Sequence, residues 1–187
     1  MRSVEWCALS LALVFAGCVP QGSIPQGVQV YFSPHGGATE AVVEALDHST
    51  NSVLVQAYSF TSVPIARALV DAHRRGVNVQ IILDRSQRTE KYSEADFLLH
   101  EGIPPMIDAQ HAIAHNKVVV IDGCVVLTGS FNFTKAAEEN NAENLLVIDD
   151  AVLARRYTEN WHLHEGHSEA YERTERAEPR ANHKARE

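Results

Sequence analysis

The chain has 187 residues, 45% of them hydrophobic and 21% charged, a composition that suits one folded domain with a substantial core and excludes a disordered protein. Its three cysteines are too few for a disulfide framework. The formal net charge of −8 argues against a broadly basic surface, so any positive potential that attracts a polyanion has to be local.

The first residues have the pattern of an export signal. A positive start at Arg2 precedes an apolar segment, residues 9–16, that is too short to span a bilayer. The Phe-Ala-Gly-Cys segment that ends at Cys18 resembles a bacterial lipobox, which makes Cys18 a candidate lipid anchor, whereas the small residues before it equally fit ordinary signal-peptidase cleavage. We therefore predict a signal peptide over residues 1–18, a linker over residues 19–27, and export to the periplasm or the cell envelope.

Strand and helix patterns alternate through the first half of the chain. The predicted elements, in order, are a strand over 28–32, a helix over 38–47, a strand over 53–58, a helix from Thr61 or Ser62 to Arg75, a strand over 77–83, a helix over 93–100, an extended piece at 106–107, strands over 115–122 and 125–134, a strand over 145–148 and a helix over 150–164. Nearly continuous apolar strands joined by helices indicate right-handed crossovers in a buried sheet. The predicted fold is α/β over residues 28–164, with a mixed, mostly parallel sheet and helices on both faces. Residues 165–187 are charged with alternating sign, which predicts an exposed or disordered tail.

Two short segments contain the candidate catalytic residues. Side chains alternate along a strand, so His115 and Lys117 point the same way, and so do Ser130 and Asn132. Apolar residues between and after them anchor both strands in the core. An imidazole, an ammonium, a hydroxyl and a carboxamide that converge on one volume supply what a phosphodiester needs, namely a nucleophile or base, a positive charge and neutral donors.

The dipeptide Asp122-Gly123 joins the two strands. An Asp-Gly pair between two apolar runs predicts a two-residue hairpin turn, since both central residues need positive φ. The hairpin brings Ser130 and Asn132 back beside His115. Asp122 either serves only this turn or also contributes to the site, and the sequence leaves both interpretations open.

The order H-x-K-x4-D followed by G-S-x-N-x-T, which begins at His115, resembles the HKD motif of the phospholipase D superfamily. Glu143, just ahead of an apolar strand, matches the acidic residue that orients the catalytic imidazole in that family. The segments 30–34 and 57–61 resemble strands and loops of the small single-motif bacterial endonucleases of the superfamily. The resemblance covers roughly residues 28–161, and it implies the same α/β sandwich.

The resemblance implies a two-step displacement through a phosphohistidine. One His115 attacks phosphorus while a second imidazole protonates the leaving alkoxide, and because the chain has one motif, it implies a homodimer that shares one site. Lys117 neutralises the phosphoryl oxygens, Ser130 and Asn132 complete the cradle, and Glu143 orients the imidazole. No metal or other cofactor is required, since lysines and imidazoles supply the charge.

Three functions remain open at this point. The leading hypothesis is an exported endonuclease that acts on DNA or RNA. The alternative is a phospholipase D that hydrolyses phospholipid headgroups, for which a lipid anchor at Cys18 would hold the site at a membrane. A catalytically silent module that binds anionic ligands is the third, although it predicts a broken set of residues and the set in this sequence is complete.

Several other histidines are candidate metal ligands. His111 and His115 are spaced for zinc on a helix, but the β-branched run after them favours a strand. A solvated helix terminus is favoured over a metal site for the three histidines that end the last helix, which are His162, His164 and His167.

Other positions favour ordinary structural roles. Packing is favoured over base stacking for Tyr58 and Phe60. Asp84 and Arg85 either pair with one another or line the site, since the carboxyl ends of strands often do. Cys124 is expected to be a small buried residue.

Overall fold

The computed structural model describes residues 26–172. The predicted signal peptide, most of the predicted linker and the last part of the predicted tail lie outside the described residues. The strands are β1 Val28–Ser33, β2 Ser52–Ala57, β3 Asn78–Asp84, β4 Met106–Asp108, β5 Lys117–Ile121, β6 Val125–Gly129, β7 Glu143–Asp149 and β8 Glu169–Ala170. The helices are α1 Ala38–Asp47, α2 Val63–Arg74, α3 Ala95–His100, α4 Lys135–Glu139 and α5 Ala151–Glu165, with a 3-10 helix at Arg85–Arg88.

The strands of residues 26–172 form one eight-stranded mixed sheet in the order β1-β7-β6-β5-β2-β3-β4-β8. The prediction of a mixed α/β sheet between helices is confirmed, but the expectation that most strands are parallel is wrong. Only β2–β3 and β3–β4 pair in parallel among the seven neighbouring pairs. Helical crossovers produce those two pairs, whereas the β5–β6 hairpin and the strands that flank it run antiparallel.

Each face of the sheet has its own core. Helices α1, α2 and α3 pack on one face over a large cluster that includes Leu46, Leu69 and Leu98. Helix α5 covers the other face with Ala154 and Trp161. The Trp161 indole is almost fully buried, and its Nε1–H donates to the Val55 carbonyl at 2.9 Å, which satisfies its one polar atom.

The structure continues beyond the predicted end of the domain. The tail was expected to begin at Glu165, yet β8 pairs antiparallel with β4 and Tyr171 is buried against the core. Aromatic Tyr171 supplies the apolar surface that makes this part of the segment ordered. Helix α4, whose N-cap residue is Thr134, was also not predicted. Its five residues are too few to show a helical period. None of the helices in residues 26–172 is long and apolar enough to cross a membrane.

The hairpin turn has the predicted backbone. Asp122 and Gly123 have φ of 53° and 64°, and the Cys124 N–H donates to the Ile121 carbonyl at 3.0 Å. Strand pairing resumes only at Ile121–Val125, so Cys124 lies outside the ladder. It is exposed, and the expectation of a buried Cys124 is therefore wrong.

Candidate active site

The predicted site residues gather where strand ends meet at one edge of the sheet. Antiparallel pairing of Ala57 with Lys117 sets the end of β2 beside the start of β5. Pairing of Gly129 with Leu145 sets the end of β6 beside the start of β7. The same edge therefore holds the His115 segment, the Ser130 segment and Glu143, as the hairpin predicts.

Among the site residues of the two polar segments, only Lys117 lies in a strand. His115 lies in the loop before β5, and Ser130 and Asn132 follow β6 instead of continuing it. The expected strands over 115–122 and 125–134 are therefore shorter than predicted. The site is built on loops that the strands hold in place, a common arrangement for binding and catalytic residues.

Lys117 is the first residue of β5 and lies inside the protein. Its side chain is largely buried, and its Nζ donates to the backbone carbonyl of His115 at 2.8 Å. Burial lowers the pKa of the Lys117 amine below its usual value, while the negative charge of Glu143 opposes that shift. An ammonium has three donors, and since Nζ has this one hydrogen bond among residues 26–172, two N–H groups remain for the oxygens of an anion.

His115 is exposed, but its backbone is held on both sides. The Ala114 N–H donates to Asp84 Oδ2 at 2.7 Å, and the Asn116 carbonyl accepts from the Tyr58 N–H at 2.9 Å. Asp84 is buried, and its other oxygen accepts from the Ser86 N–H, so it anchors the His115 loop. This role could not be read from the sequence, since the two segments lie 30 residues apart.

Tyr58 contacts both leading site residues. Its ring centroid lies 4.6 Å from that of His115 at an interplanar angle of 51°, and Lys117 Nζ lies 5.1 Å from the Tyr58 centroid. Tyr58 therefore packs against the site itself. Phe60, by contrast, is fully buried against Phe133, so its predicted packing role is confirmed.

Among residues 26–172 the Ser130 hydroxyl only accepts hydrogen bonds, so its proton is available for a ligand. Its Oγ accepts from the Asn144 N–H at 3.0 Å and from the Asn144 Nδ2 at 3.3 Å. The backbone amides of Ser130 and Phe131 both donate to the Asn144 carbonyl. A Cβ at Gly129 would lie 2.2 Å from that carbonyl, which explains the glycine before the serine. Asn144 thus positions the Ser130 loop, a role that its sequence position did not reveal.

Asn132 and Thr134 complete the loop. Asn132 Oδ1 is buried and makes no hydrogen bond among residues 26–172. A buried polar atom without a partner is expensive, and a bound group can satisfy it. Thr134 has a structural role, because its Oγ1 accepts from the Ala137 N–H and begins α4.

The hydrogen bonds of Glu143 go to groups other than His115, its predicted partner. Its carboxylate accepts from Asn141 Nδ2 at 3.2 Å, and its backbone N–H donates to Ser33 Oγ. Its charge acts on Lys117, and within the described chain it makes no hydrogen bond to His115. Orientation of the imidazole by Glu143 stays a prediction.

Asp122 lies at the far end of β5, about 16 Å along the strand from Lys117 at 3.3 Å per residue. Its carboxylate accepts four hydrogen bonds, from Thr50 N, Thr50 Oγ1, Asn51 N and Ser52 N, at 2.8–2.9 Å. Burial opposes its ionisation, but these bonds hold its pKa below the usual value. This geometry fits the interpretation in which Asp122 serves the turn. The same carboxylate also holds the loop that precedes β2.

The candidate metal-ligating histidines have other surroundings than the sequence predicts. His111 and His115 lie in one loop rather than on a helix. His111, His164 and His167 surround the buried carboxylate of Asp108. Exposed His162 pairs with Glu165 instead. The prediction of a solvated helix end for His162, His164 and His167 is therefore correct only for His162.

Comparison with known proteins places this geometry in a family. The profile of the family described as "Cardiolipin synthase, PLD-like domain" matches residues 42–163. A protein named phospholipase D from Rickettsia bellii is 45% identical over 134 residues, which are 72% of this chain and 67% of the relative. A mitochondrial cardiolipin hydrolase from Xenopus laevis is 39% identical over 100 residues, 54% of this chain and 48% of that protein.

Solved structures agree. The crystal structure of Nuc, a phospholipase D family member from Salmonella typhimurium, superposes with a TM-score of 0.74 at 41% identity and covers 77% of this chain and 97% of its own. NucT from Helicobacter pylori superposes with a TM-score of 0.71 at 27% identity and covers 77% of this chain and 98% of its own. The likeness therefore extends over nearly the whole of both solved chains.

Proposed function

This chain belongs to the phospholipase D superfamily and is a phosphodiester hydrolase, and within that class we propose that it is an exported, metal-independent endonuclease that cleaves DNA or RNA through a phosphohistidine. The observation that supports this most is that His115 and Lys117 meet at one ring, since the exposed His115 imidazole lies 4.6 Å from the Tyr58 ring centroid and the buried Lys117 Nζ lies 5.1 Å from it. The free hydroxyl proton of Ser130 adds a neutral donor at the same edge.

The proposed chemistry has two displacements. A ring nitrogen of one His115 attacks phosphorus, the bond from phosphorus to the leaving oxygen breaks, and a second imidazole gives that oxygen its proton. Water then attacks the phosphohistidine, the second imidazole takes the proton of the water, and the phosphorus–nitrogen bond breaks. Both imidazoles end as they began.

The second imidazole comes from a second copy of the chain in this proposal. The sequence has one H-x-K motif, and one His115 cannot stand on both sides of the same phosphorus. A two-fold axis beside His115 pairs two copies of the site. Two large apolar side chains, Phe32 and Ile113, are 64% and 57% exposed on segments next to the site, as an interface between copies requires.

The choice of substrate rests on different relatives. Nuc and NucT are matched over nearly their whole length, which favours a nuclease. The relatives named phospholipase D favour headgroup hydrolysis, and a lipid anchor at Cys18 would place the site near a membrane. The net charge of −8 makes tight, processive binding to a nucleic acid unfavourable, so we expect a distributive enzyme.

One experiment separates these substrates. The purified mature protein is incubated with duplex DNA, single-stranded DNA, RNA and phospholipid vesicles, with and without EDTA, beside a His115→Ala variant. His100→Ala is the matched control, since His100 is an exposed histidine at the end of α3. The proposal predicts that nucleic acid is cleaved equally well with and without EDTA. His115→Ala should abolish this cleavage, and His100→Ala should not. Headgroup release without cleavage of nucleic acid would reverse the ranking of the two substrates.

Export is a separate part of the proposal. The predicted signal over residues 1–18 implies a mature protein that begins at or near Cys18. Mass spectrometry of the protein from cell fractions tests this. A diacylated Cys18 supports an envelope anchor, an unmodified processed chain supports a soluble periplasmic enzyme, and an unprocessed cytoplasmic chain contradicts export.

A further inference from the structure

Four potential metal ligands meet at the edge of the sheet beside α5. Asp108 ends β4, and His111 follows it by three residues in the loop that leads to His115. His164 lies in the last turn of α5, and His167 follows just after the helix ends. One donor atom from each of the four lies within 4.8 Å of all the others.

The three imidazoles are arranged around one carboxylate oxygen. Asp108 Oδ2 lies 2.7 Å from His164 Nδ1, 3.1 Å from His111 Nδ1 and 3.3 Å from His167 Nε2. The three ring centroids are 5.0–5.3 Å apart. The Asp108 side chain is fully buried, whereas that of His111 is 46% exposed, so the group opens to solvent on one side.

Hydrogen bonding alone leaves this group incomplete. His164 and His111 each direct a ring nitrogen at the Asp108 carboxylate within hydrogen-bond distance. The buried Nε2 of His167 lies 3.3 Å from the same oxygen, at the long end of the hydrogen-bond range, and among residues 26–172 it has no hydrogen bond of good geometry. Three imidazoles thus share one carboxylate, and a cation between the four groups would give each of them a partner.

The distances are those of a site that a metal ion would draw together. Zinc binds imidazole nitrogen and carboxylate oxygen at about 2.0–2.2 Å, so tetrahedral ligand atoms lie about 3.3 Å apart. The nitrogens lie 2.7–3.3 Å from Asp108 Oδ2, and because the four donor atoms lie within 4.8 Å of one another, the widest pair has to close by at most about 1.5 Å. From this geometry we propose that Asp108, His111, His164 and His167 form a binding site for a divalent transition metal of the zinc class.

The ligands also determine the kind of site. Three imidazoles and one carboxylate suit zinc and its neighbours rather than magnesium or calcium, which prefer oxygen. Four protein ligands leave no open position for a water or a substrate, as in structural zinc sites. The ion therefore does not take part in phosphodiester chemistry.

The site has a structural consequence for the loop that leads to His115. It ties the loop from residue 109 to residue 114 to the ends of β4 and α5. Asp84 holds the same loop at Ala114, one residue before His115. Metal binding thus fixes the far end of this loop, whereas Asp84 holds the end beside the catalytic histidine without it, so removal of the metal should leave His115 in place.

The test measures metal rather than activity, so its outcome does not depend on the proposed function. The full chain, prepared without chelator, is assayed for bound metal, and the stripped protein is titrated with Zn²⁺ and separately with Co²⁺. His111→Ala removes the most exposed ligand, and His164→Ala removes the shortest contact. His162→Ala is the matched control, because His162 lies on the same helix end but outside the group.

The proposal predicts one equivalent of Zn²⁺ per chain and intense visible absorption of tetrahedral Co²⁺. His111→Ala and His164→Ala should weaken Zn²⁺ binding by more than the roughly 10–100-fold typical of losing an outer-shell partner. At a hundredfold excess of Zn²⁺ over Kd, the Tm of the wild type and of His162→Ala should rise by roughly 5–10 °C. If the folded wild type binds no Zn²⁺, or if His111→Ala binds it as tightly as His162→Ala does, the proposal is wrong.

Discussion

Replacement of Asp122 by asparagine should destabilise the protein without changing its chemistry. The carboxylate divides four hydrogen bonds between its two oxygens, and an amide keeps one oxygen and turns an NH₂ toward the other two donors. With the NH₂ toward Thr50, whose hydroxyl can accept as well as donate, the bond from the Thr50 N–H is lost. A bond to a charged group contributes about 1.5–3 kcal/mol, so the free energy of unfolding should fall by about 2 kcal/mol. For a chain of this size that corresponds to a Tm lower by roughly 4–8 °C.

The pH dependence of this effect has a definite sign. The pKa of Asp122 is lowered in the folded protein, so its contribution to stability is present above the unfolded pKa of about 3.9 and is lost as pH falls through the folded value. The difference between wild type and Asp122→Asn should therefore be full at pH 7 and shrink below about pH 4.

Thermal unfolding against pH and kcat at 25 °C are the two measurements. Asp47→Asn is the matched control, since Asp47 is an exposed carboxylate at the end of α1. The kcat of folded Asp122→Asn should stay within about twofold of the wild type, because the carboxylate does not reach the reacting atoms. A variant that unfolds like the wild type but loses activity a hundredfold would refute the structural role of Asp122.

Three further predictions concern the site. The rate should follow a bell-shaped curve against pH, since one His115 of the pair must be neutral while the other is protonated, and a flat rate between about pH 5 and 8 would contradict the paired scheme. Asp84→Asn weakens the hydrogen bond that anchors Ala114. Because this slightly misplaces the catalytic His115, kcat should fall by about tenfold while the circular dichroism spectrum is unchanged. An unchanged kcat would exclude positioning by Asp84. Gly129→Ala forces the loop away from the Asn144 carbonyl and should lower both Tm and kcat, and a fully active, equally stable variant would show that the close approach is not needed.

The sequence predicted the parts of the site that depend on local patterns. The Asp-Gly turn placed His115, Lys117 and Ser130 at one sheet edge, and its positive φ values follow from the residue types. Strand alternation does not apply to His115 and Ser130, because both lie in loops. The helices over 38–47 and about 63–74 agree with their apolar periods and with the Gly and Pro that bound them.

The remaining features depend on contacts between distant segments. Nothing local to Asp84 shows that its carboxylate binds Ala114, and nothing local to Tyr58 shows that its ring lies against His115. The direction of each strand in the sheet was likewise not local, so the share of parallel pairs was overestimated. Asp108 and His164 are 56 residues apart, and only the folded chain brings them together.

The most direct test of the proposed chemistry is chemical trapping of the intermediate. The enzyme is mixed with excess oligonucleotide and quenched in alkali within the first turnover, since phosphohistidine survives base, and the digested protein is analysed by mass spectrometry. We expect a phosphate ester of the substrate bonded to His115 in the wild type and none in His115→Ala. Active enzyme that has no phosphorus on His115 during turnover, or that has it on another residue, would show that the reaction does not pass through a phosphohistidine at this position.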